Sequence, residues 1–528
     1  MRDFEKPGRS TVHAMNGMVA TSHPLASSAA NDVLRNGGNA LDAAICASAV
    51  LCVVEPQSTG IGGDCFILMA KDGKDDVVGY NGSGRSPAAA TLEHFQSLGL
   101  SEFATDSVHS VTMPGAVDAW LTTHADHGHM DIGDVLAPAI DYARHGYPIH
   151  GRVHSDWSRE REHLQKDPNT AAVFLPGGEA PNEGDVHHQP QLANTLEAIA
   201  RSGRHGFYEG PVAEAMIAAL HNKGGVHSLE DMTSVRGNYV TPITTTYRDY
   251  TIHQIPPNNQ GVVALIMLNI LEGFDLAQYP PLSAERTHLE IEAGRLAFKA
   301  RNEALTDLPH MKVSLDQMLS KEWAAELREQ INMDTAMTDL PDLNLRKSDT
   351  VYISVVDKDH NAVSFINSVY YSFGSGILCP QSGVMFQNRG KSFQMDADHP
   401  NVIAPNKRPM HTIMPGMLTR DGKAIMPYGV MGGDYQPYGH TRLLTNMIDY
   451  GLDPQAALDM PRVFGMDDVV EVESGFPRET TAGLINKGHT LTQTSAPHGG
   501  GQAIRINHDN GVLSGGSDPR KDGCAIGY

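Results

Sequence analysis

The chain has 528 residues, 40% hydrophobic and 19% charged, the composition of a folded globular protein long enough for more than one domain. Its formal net charge of −22 argues against a nucleic-acid partner, which calls for a basic face, and reads as solubility. The five cysteines are odd in number and lack C-x-x-C spacing, against both a disulfide framework and a zinc site.

The first seven residues contain no apolar run of the signal-peptide kind, so a cytoplasmic protein is expected. The longest apolar stretch, about residues 43–54, is too short to cross a bilayer, so no membrane partner is expected. Residues 17–22 read as a short strand. Residues 24–54 read as two helices separated by Gly37-Gly38-Asn39, with Leu25, Ala29, Val33 and Leu34 at helical spacing in the first. The second is nearly all apolar and hence buried, with Cys46 and Cys52 as core residues. Thr59-Gly60-Ile61-Gly62-Gly63-Asp64 lacks the Gly-Lys-Ser/Thr ending of a phosphate loop and precedes an apolar strand at residues 65–69, not a helix. The Pro/Asn/Gly loop at residues 255–261 leads into an apolar helix at 262–271, and another helix runs from His288 to about Leu305. Residues 307–348 show only a weak pattern. After Thr350, Val351, Ile353 and Val355 alternate with Tyr352, Ser354 and Val356. A polar turn at 357–361 follows, and the apolar run resumes at Ala362, which is a hairpin signal. Gly429-Val430-Met431-Gly432-Gly433-Asp434 puts a glycine pair between a strand and a helix. The 26 histidines show no H-E-x-x-H spacing, and no metal or cofactor is expected.

Several motifs occur in a fixed order: Gly38-Asn39-Ala40-Leu41-Asp42-Ala43-Ala44, then Thr350-x-x-x-Ser354-Val355-Val356-Asp357, Asn361-Ala362-Val363, Phe373-Gly374-Ser375-Gly376-Ile377 and Gly516-Ser517-Asp518-Pro519-Arg520. Together they resemble the γ-glutamyltransferase (glutathione hydrolase) family. The resemblance implies the four-layer α-β-β-α sandwich of N-terminal-nucleophile hydrolases. It implies a chain that cuts itself between Asp349 and Thr350, giving residues 1–349 and 350–528, which share one core. Thr350 would then be the nucleophile. Its freed α-amine, with a pKa near 8, would be the base that a weakly nucleophilic hydroxyl needs. The backbone N–H groups of Gly432 and Gly433 would form the oxyanion hole. Many family members carry a secretion signal; none is seen here.

The implied substrate pocket departs from the family. The family's carboxylate-binding arginine lies four residues before a proline; Ser83 stands there, and Arg85 lies two before Pro87. His411-Thr412 replaces the usual Ser-Ser. Tyr370 and Ser392 occupy the positions that hold a substrate ammonium, with Arg389 and Lys391 nearby. Arg85, Ser368, Tyr370, His411 and Thr412 are therefore the substrate-binding candidates. An ammonium without a partner is costly to bury, so the expected substrate is a small anionic amide such as oxamate or a glutaryl amide. A γ-glutamyl amide is the alternative, and an uncut, non-catalytic relative the second. The expected partners are a small-molecule amide and the chain's own two pieces, with an oligomer of the processed heterodimer possible.

Overall fold

The computed structural model describes residues 5, 8–338, 345, 348, 350–466 and 468–528. Asp349, half of the expected scissile bond, lies outside the described residues, as do residues 339–344 and 346–347 of the expected connecting segment.

Two seven-stranded antiparallel sheets form the centre. The first runs Ala525–Gly527, Met18–Ala20, Val351–Val356, Ala362–Ser368, Asp64–Ala70, Val77–Gly82 and Asn238–Val240. The second runs Val12–Ala14, Leu513–Ser517, Gly500–Ile506, Lys423–Met431, Gly416–Arg420, Tyr250–Gln254 and Ile243–Tyr247. Both sheets contain strands from before and after Thr350, so the two stretches build the same pair of sheets.

The two-residue period of a strand sorts side chains between layers. Val351, Ile353 and Val355 pack with the helices Pro24–Arg35, Ala40–Val54 and Ile132–His145 on the outer face of the first sheet. Tyr352 and Val356 point the other way, into an inter-sheet layer with Phe66, Leu68, Ile366, Met417, Met431 and Ile504. On the far face of the second sheet, Met426, Tyr428 and Val430 meet the helices Gly261–Leu271, Ala284–Ala304 and Gln436–Ile448. The result is the expected four-layer α-β-β-α sandwich.

Local chemistry explains the boundaries. Ala40–Val54 starts in a reciprocal capping box: Asn39 Oδ1 accepts from the N–H groups of Leu41 and Asp42, and Asp42 Oδ2 accepts from the Asn39 N–H. The Ala40 N–H donates to Asp357 Oδ2 at 3.0 Å, which ties this helix to the 357–361 turn. The helix expected from His288 begins earlier, at Ala284, because Ser283 Oγ caps the Arg286 N–H at 3.2 Å. Among the described residues, the weakly patterned stretch after residue 307 holds three short helical segments, Leu308–His310, Leu315–Met318 and Lys321–Arg328. The glycine-rich loop allows close approach: a Cβ on Gly62 would lie 2.1 Å from the Met385 carbonyl oxygen, and one on Gly63 would lie 2.2 Å from that of Ser368. All five cysteines are free. Among the described residues, no helix is long and apolar enough to cross a membrane.

Burial makes many histidines hard to protonate. Desolvation holds His23, His411, His440 and His489 at about 3, and His187, His227 and His253 at about 4. Unfolded, each would titrate near 6.5. As pH falls below that value the unfolded chain binds more protons, so folding stability is lost with falling pH, by up to about 1.4 kcal/mol per pH unit for each group. Glu55, pushed up to about 7 by burial, opposes this in part. The urea midpoint is therefore expected to fall steeply between about pH 6 and pH 5; a midpoint unchanged over that range would contradict the burial of these rings.

Candidate active site

Thr350 immediately precedes the central strand Val351–Val356 and is fully buried. Its hydroxyl donates to Ser368 Oγ at 3.2 Å, and Ser368 Oγ also accepts from the Tyr370 N–H at 2.9 Å. Ser368 ends the neighbouring strand, where it pairs with Asp64. Asn367, opposite Val351, donates to Thr59 Oγ1 at 2.8 Å. The glycine-rich loop is thus packed directly behind the threonine.

Across the sheet interface, Ser354 Oγ donates to the Pro427 carbonyl at 2.8 Å, and the Tyr352 ring lies over Gly429. Each step of two residues down one strand matches a step of two up the other. Continued one step further, the same pattern would set Thr350 opposite Met431, directly before Gly432-Gly433. Gly432 has φ +121° and Gly433 φ +63°, conformations that favour glycine. The turn is braced from below: Gln260 Nε2 donates to the Gly433 carbonyl at 3.1 Å and to that of Thr412 at 2.6 Å. Arg301 donates to Gln260 Oε1 at 2.9 Å and pairs with Asp434, both side chains being nearly inaccessible. Sequence patterns did not reveal this Arg301–Gln260–Asp434 brace, because its members come from three separate elements.

Arg389 is the most unusual side chain of the site. It is fully buried, its Nη1 donates to Thr412 Oγ1 at 2.9 Å, and its guanidinium sits 3.8 Å from the Tyr370 ring centroid. Its Nε and Nη2 make no hydrogen bond. Burial lowers its pKa to about 10. Tyr370 holds a positive φ of 82° to place its ring there, a strained conformation of the kind concentrated at functional sites.

A cavity of about 350 Å³ opens beside this group, lined by Tyr370, Tyr371, Lys391, Ser392, Arg301 and Asp434 among others. Lys391 pairs with Glu102 at 2.8 Å, and both line the cavity. A second cavity of about 180 Å³ shares Tyr371 with it and is lined by Ser348 and Gly432.

The structure gathers Thr350, Ser368, Tyr370 and Thr412 with Arg389. His411 is turned away: its Nε2 meets Asp64 Oδ2 at 3.1 Å, and its ring packs edge-on against Phe66. Burial and then the Arg389 charge hold it at about pKa 3, so it is neutral and serves as a strut. Arg85 is not brought to the cavity. It donates to the Asn406 carbonyl at 3.0 Å and lies 3.4 Å from Asp307, in a separate small cleft with Ser83 and Arg236. The backbone on both sides of it fixes that direction: the Arg85 carbonyl accepts from Met113 N–H, and Ser86 N–H donates to the Lys407 carbonyl.

A four-layer sandwich of this kind, with a buried threonine hydroxyl at the head of a central strand, is the fold of the N-terminal-nucleophile hydrolases. The family model described as gamma-glutamyltranspeptidase matches residues 26–528, and the chain belongs to that family. It is 38% identical over 97% of its length to the glutathione hydrolase-like YwrD proenzyme of Bacillus subtilis, covering 98% of that protein. It is 33% identical to the oxamate amidohydrolase proenzyme of Klebsiella pneumoniae, with 97% and 98% of the two chains covered. Among solved structures, the cephalosporin acylase from Bacillus halodurans superposes with a TM-score of 0.94 at 40% identity, covering 100% of this chain and 99% of that one. The chain is an enzyme of the amide-hydrolysing and acyl-transferring kind.

Asp64 is the hub behind the site. Its Oδ1 accepts from the Gly84 and Gly115 N–H groups and from Gln387 Nε2, while Oδ2 faces His411. Gly115 N–H and Gln387 Nε2 have second acceptors in the Gly63 and Met113 carbonyls, so Asp64→Ala would strand the Gly84 N–H and His411 Nε2 and is expected to cost at least about 2 kcal/mol. Asp64→Asn keeps one acceptor oxygen and should cost clearly less. Equal urea midpoints for Asp64→Ala and the unaltered chain would contradict this role.

Proposed function

We propose that this chain cuts itself between Asp349 and Thr350 into pieces of residues 1–349 and 350–528, and then hydrolyses a small anionic amide through Thr350. In the first step the Thr350 hydroxyl attacks the Asp349 carbonyl carbon, the C–N bond breaks, and water resolves the resulting ester. That leaves a carboxylate on Asp349 and a free amine on Thr350. In turnover that amine takes the hydroxyl proton as Oγ attacks the substrate carbonyl, then delivers it to the leaving nitrogen. The N–H groups of Gly432 and Gly433 carry the oxyanion. Ser368 orients the hydroxyl, and water releases the acyl group.

The observation that carries the substrate class is Arg389. A buried guanidinium with two nitrogens unpartnered calls for an anionic acceptor, and a carboxylate fits its fork. Tyr370, over whose ring the guanidinium sits, and Ser392 line the neighbouring cavity, and Thr412 holds the guanidinium from the other side. Asp434, the acidic side chain next to the glycine pair, already faces Arg301, which leaves a substrate ammonium poorly served. Oxamate is the simplest amide of this description. The competing reading, a γ-glutamyl amide, draws its support from the carboxylates of Asp434 and Glu102 lining the cavity.

The test compares kcat/KM on oxamate, a glutaryl amide and a γ-glutamyl amide. The best anionic amide is expected to exceed the γ-glutamyl amide by at least about tenfold, which needs only about 1.4 kcal/mol. Arg389→Gln should lower the anionic-amide value by about 100-fold through the loss of charge-assisted contacts, and Ser392→Asp should narrow the gap between substrates. Thr350→Ala should fold and lose turnover by several orders of magnitude. Preference of the unaltered enzyme for the γ-glutamyl amide would overturn the substrate reading and leave the nucleophile standing.

A further inference from the structure

The helix Ala284–Ala304 carries His288 and Glu292 one turn apart, so both lie on the same face. That face meets the turn after the helix Arg478–Asn486, where His489 sits. All three side chains are buried, and donor atoms from the three lie within 4.8 Å of one another. His288 Nε2 lies 2.8 Å from the Asn332 carbonyl oxygen. That nitrogen therefore carries the ring proton, and Nδ1 presents its lone pair, 2.7 Å from His489 Nε2. Glu292 is oriented on both oxygens: Arg295 Nη1 donates to one at 3.0 Å, and the Met337 N–H donates to the other at 2.8 Å. An imidazole whose far N–H goes to a backbone carbonyl, beside an oriented carboxylate, is the usual outer arrangement of a metal-ligating set.

We propose that His288, Glu292 and His489 form a site for a transition-metal dication of the zinc class, which clamps residues 332–337 and the Ala284–Ala304 helix to the part of the chain after Thr350. Two imidazoles and one carboxylate with a fourth position for water suit zinc or cobalt. Arg295 and Lys487 add positive charge close by, which weighs against calcium or magnesium, held by charge and oxygen donors alone. The rings now stand 2.7 Å apart; a metal between them at tetrahedral angles needs about 3.3 Å, so binding would spread them slightly. The clamp adds to existing ties, since the Ala336 N–H donates to the Lys487 carbonyl at 2.7 Å. None of the three residues lines either cavity at the active site, so this site stands or falls independently of the substrate.

The test uses the full chain without a metal-binding tag. After dialysis against micromolar Zn2+, elemental analysis is expected to give one equivalent. With Co2+ in place of zinc, the visible spectrum should show the intense bands of a tetrahedral site. Zn2+ should raise the melting temperature of the unaltered chain and of Thr350→Ala. It should leave His489→Gln and Glu292→Gln unmoved, with the equivalent lost. Less than about a tenth of an equivalent in the unaltered chain would overturn the proposal, as would a purely octahedral cobalt spectrum. The same holds if the variants retain the full equivalent, since other histidines then take the metal and the ring pair is only an N–H···N hydrogen bond. If neither variant folds, the cobalt spectrum of the unaltered chain decides.

Discussion

Everything at the site depends on where one strand begins. Val351–Val356 is held between Met18–Ala20 on one side and Ala362–Ser368 on the other, and its Tyr352 ring lies flat on Gly429 of the facing sheet. A slip of one residue would swap every inward and outward side chain, driving Val351, Ile353 and Val355 into the inter-sheet layer and Tyr352 into the helices. Register is thus set by the cores on both faces, and with it the position of the Thr350 hydroxyl against Ser368. The register is complete in the uncut chain, as the proposed self-cleavage requires.

Charge is the second constraint. Arg301, Arg389 and Arg408 are buried within one region, as are Asp64, Asp307 and Asp434. Arg301 faces Asp434, and all three Arg408 guanidinium nitrogens donate to neutral oxygens of Ser83, Asn238, Asn81 and Arg236, with only its backbone N–H on Asp307. Arg389 spends one nitrogen on a neutral hydroxyl, lies over an aromatic face and leaves its other two nitrogens without a hydrogen bond. Burying a guanidinium that way is expensive unless a ligand completes its hydrogen bonds. Arg389 is the one member of this group with two guanidinium nitrogens unpartnered among the described residues, which is why the proposed substrate is an anion.

Much of this was legible in the residues. The hairpin after Thr350 follows from alternation, the two N-terminal helices from their periods and the Gly37-Gly38-Asn39 break, and the glycine pair from its place between strand and helix. The sandwich itself came from ordered motifs, since alternation alone says only that strands and helices mix. Other features depend on tertiary placement that no local pattern encodes. Arg85 looks like a ligand arginine in sequence, yet the backbone bonds of its loop aim it at Asp307. His411 stands where a substrate contact was expected, but Asp64, distant in sequence, draws its ring away. The His288–Glu292 spacing was visible; its third member, His489, lies about two hundred residues on, and only the packing of two helices brings it near.

The central claim is that Thr350 becomes a chain terminus and acts as the nucleophile. Its most direct test is intact-mass analysis of the purified protein, with N-terminal sequencing of the smaller species. Two species of 349 and 179 residues are predicted (528 − 349 = 179), the smaller beginning Thr-Val-Tyr, while Thr350→Ala stays a single chain. A fully active protein that remains one uncut chain would contradict the account.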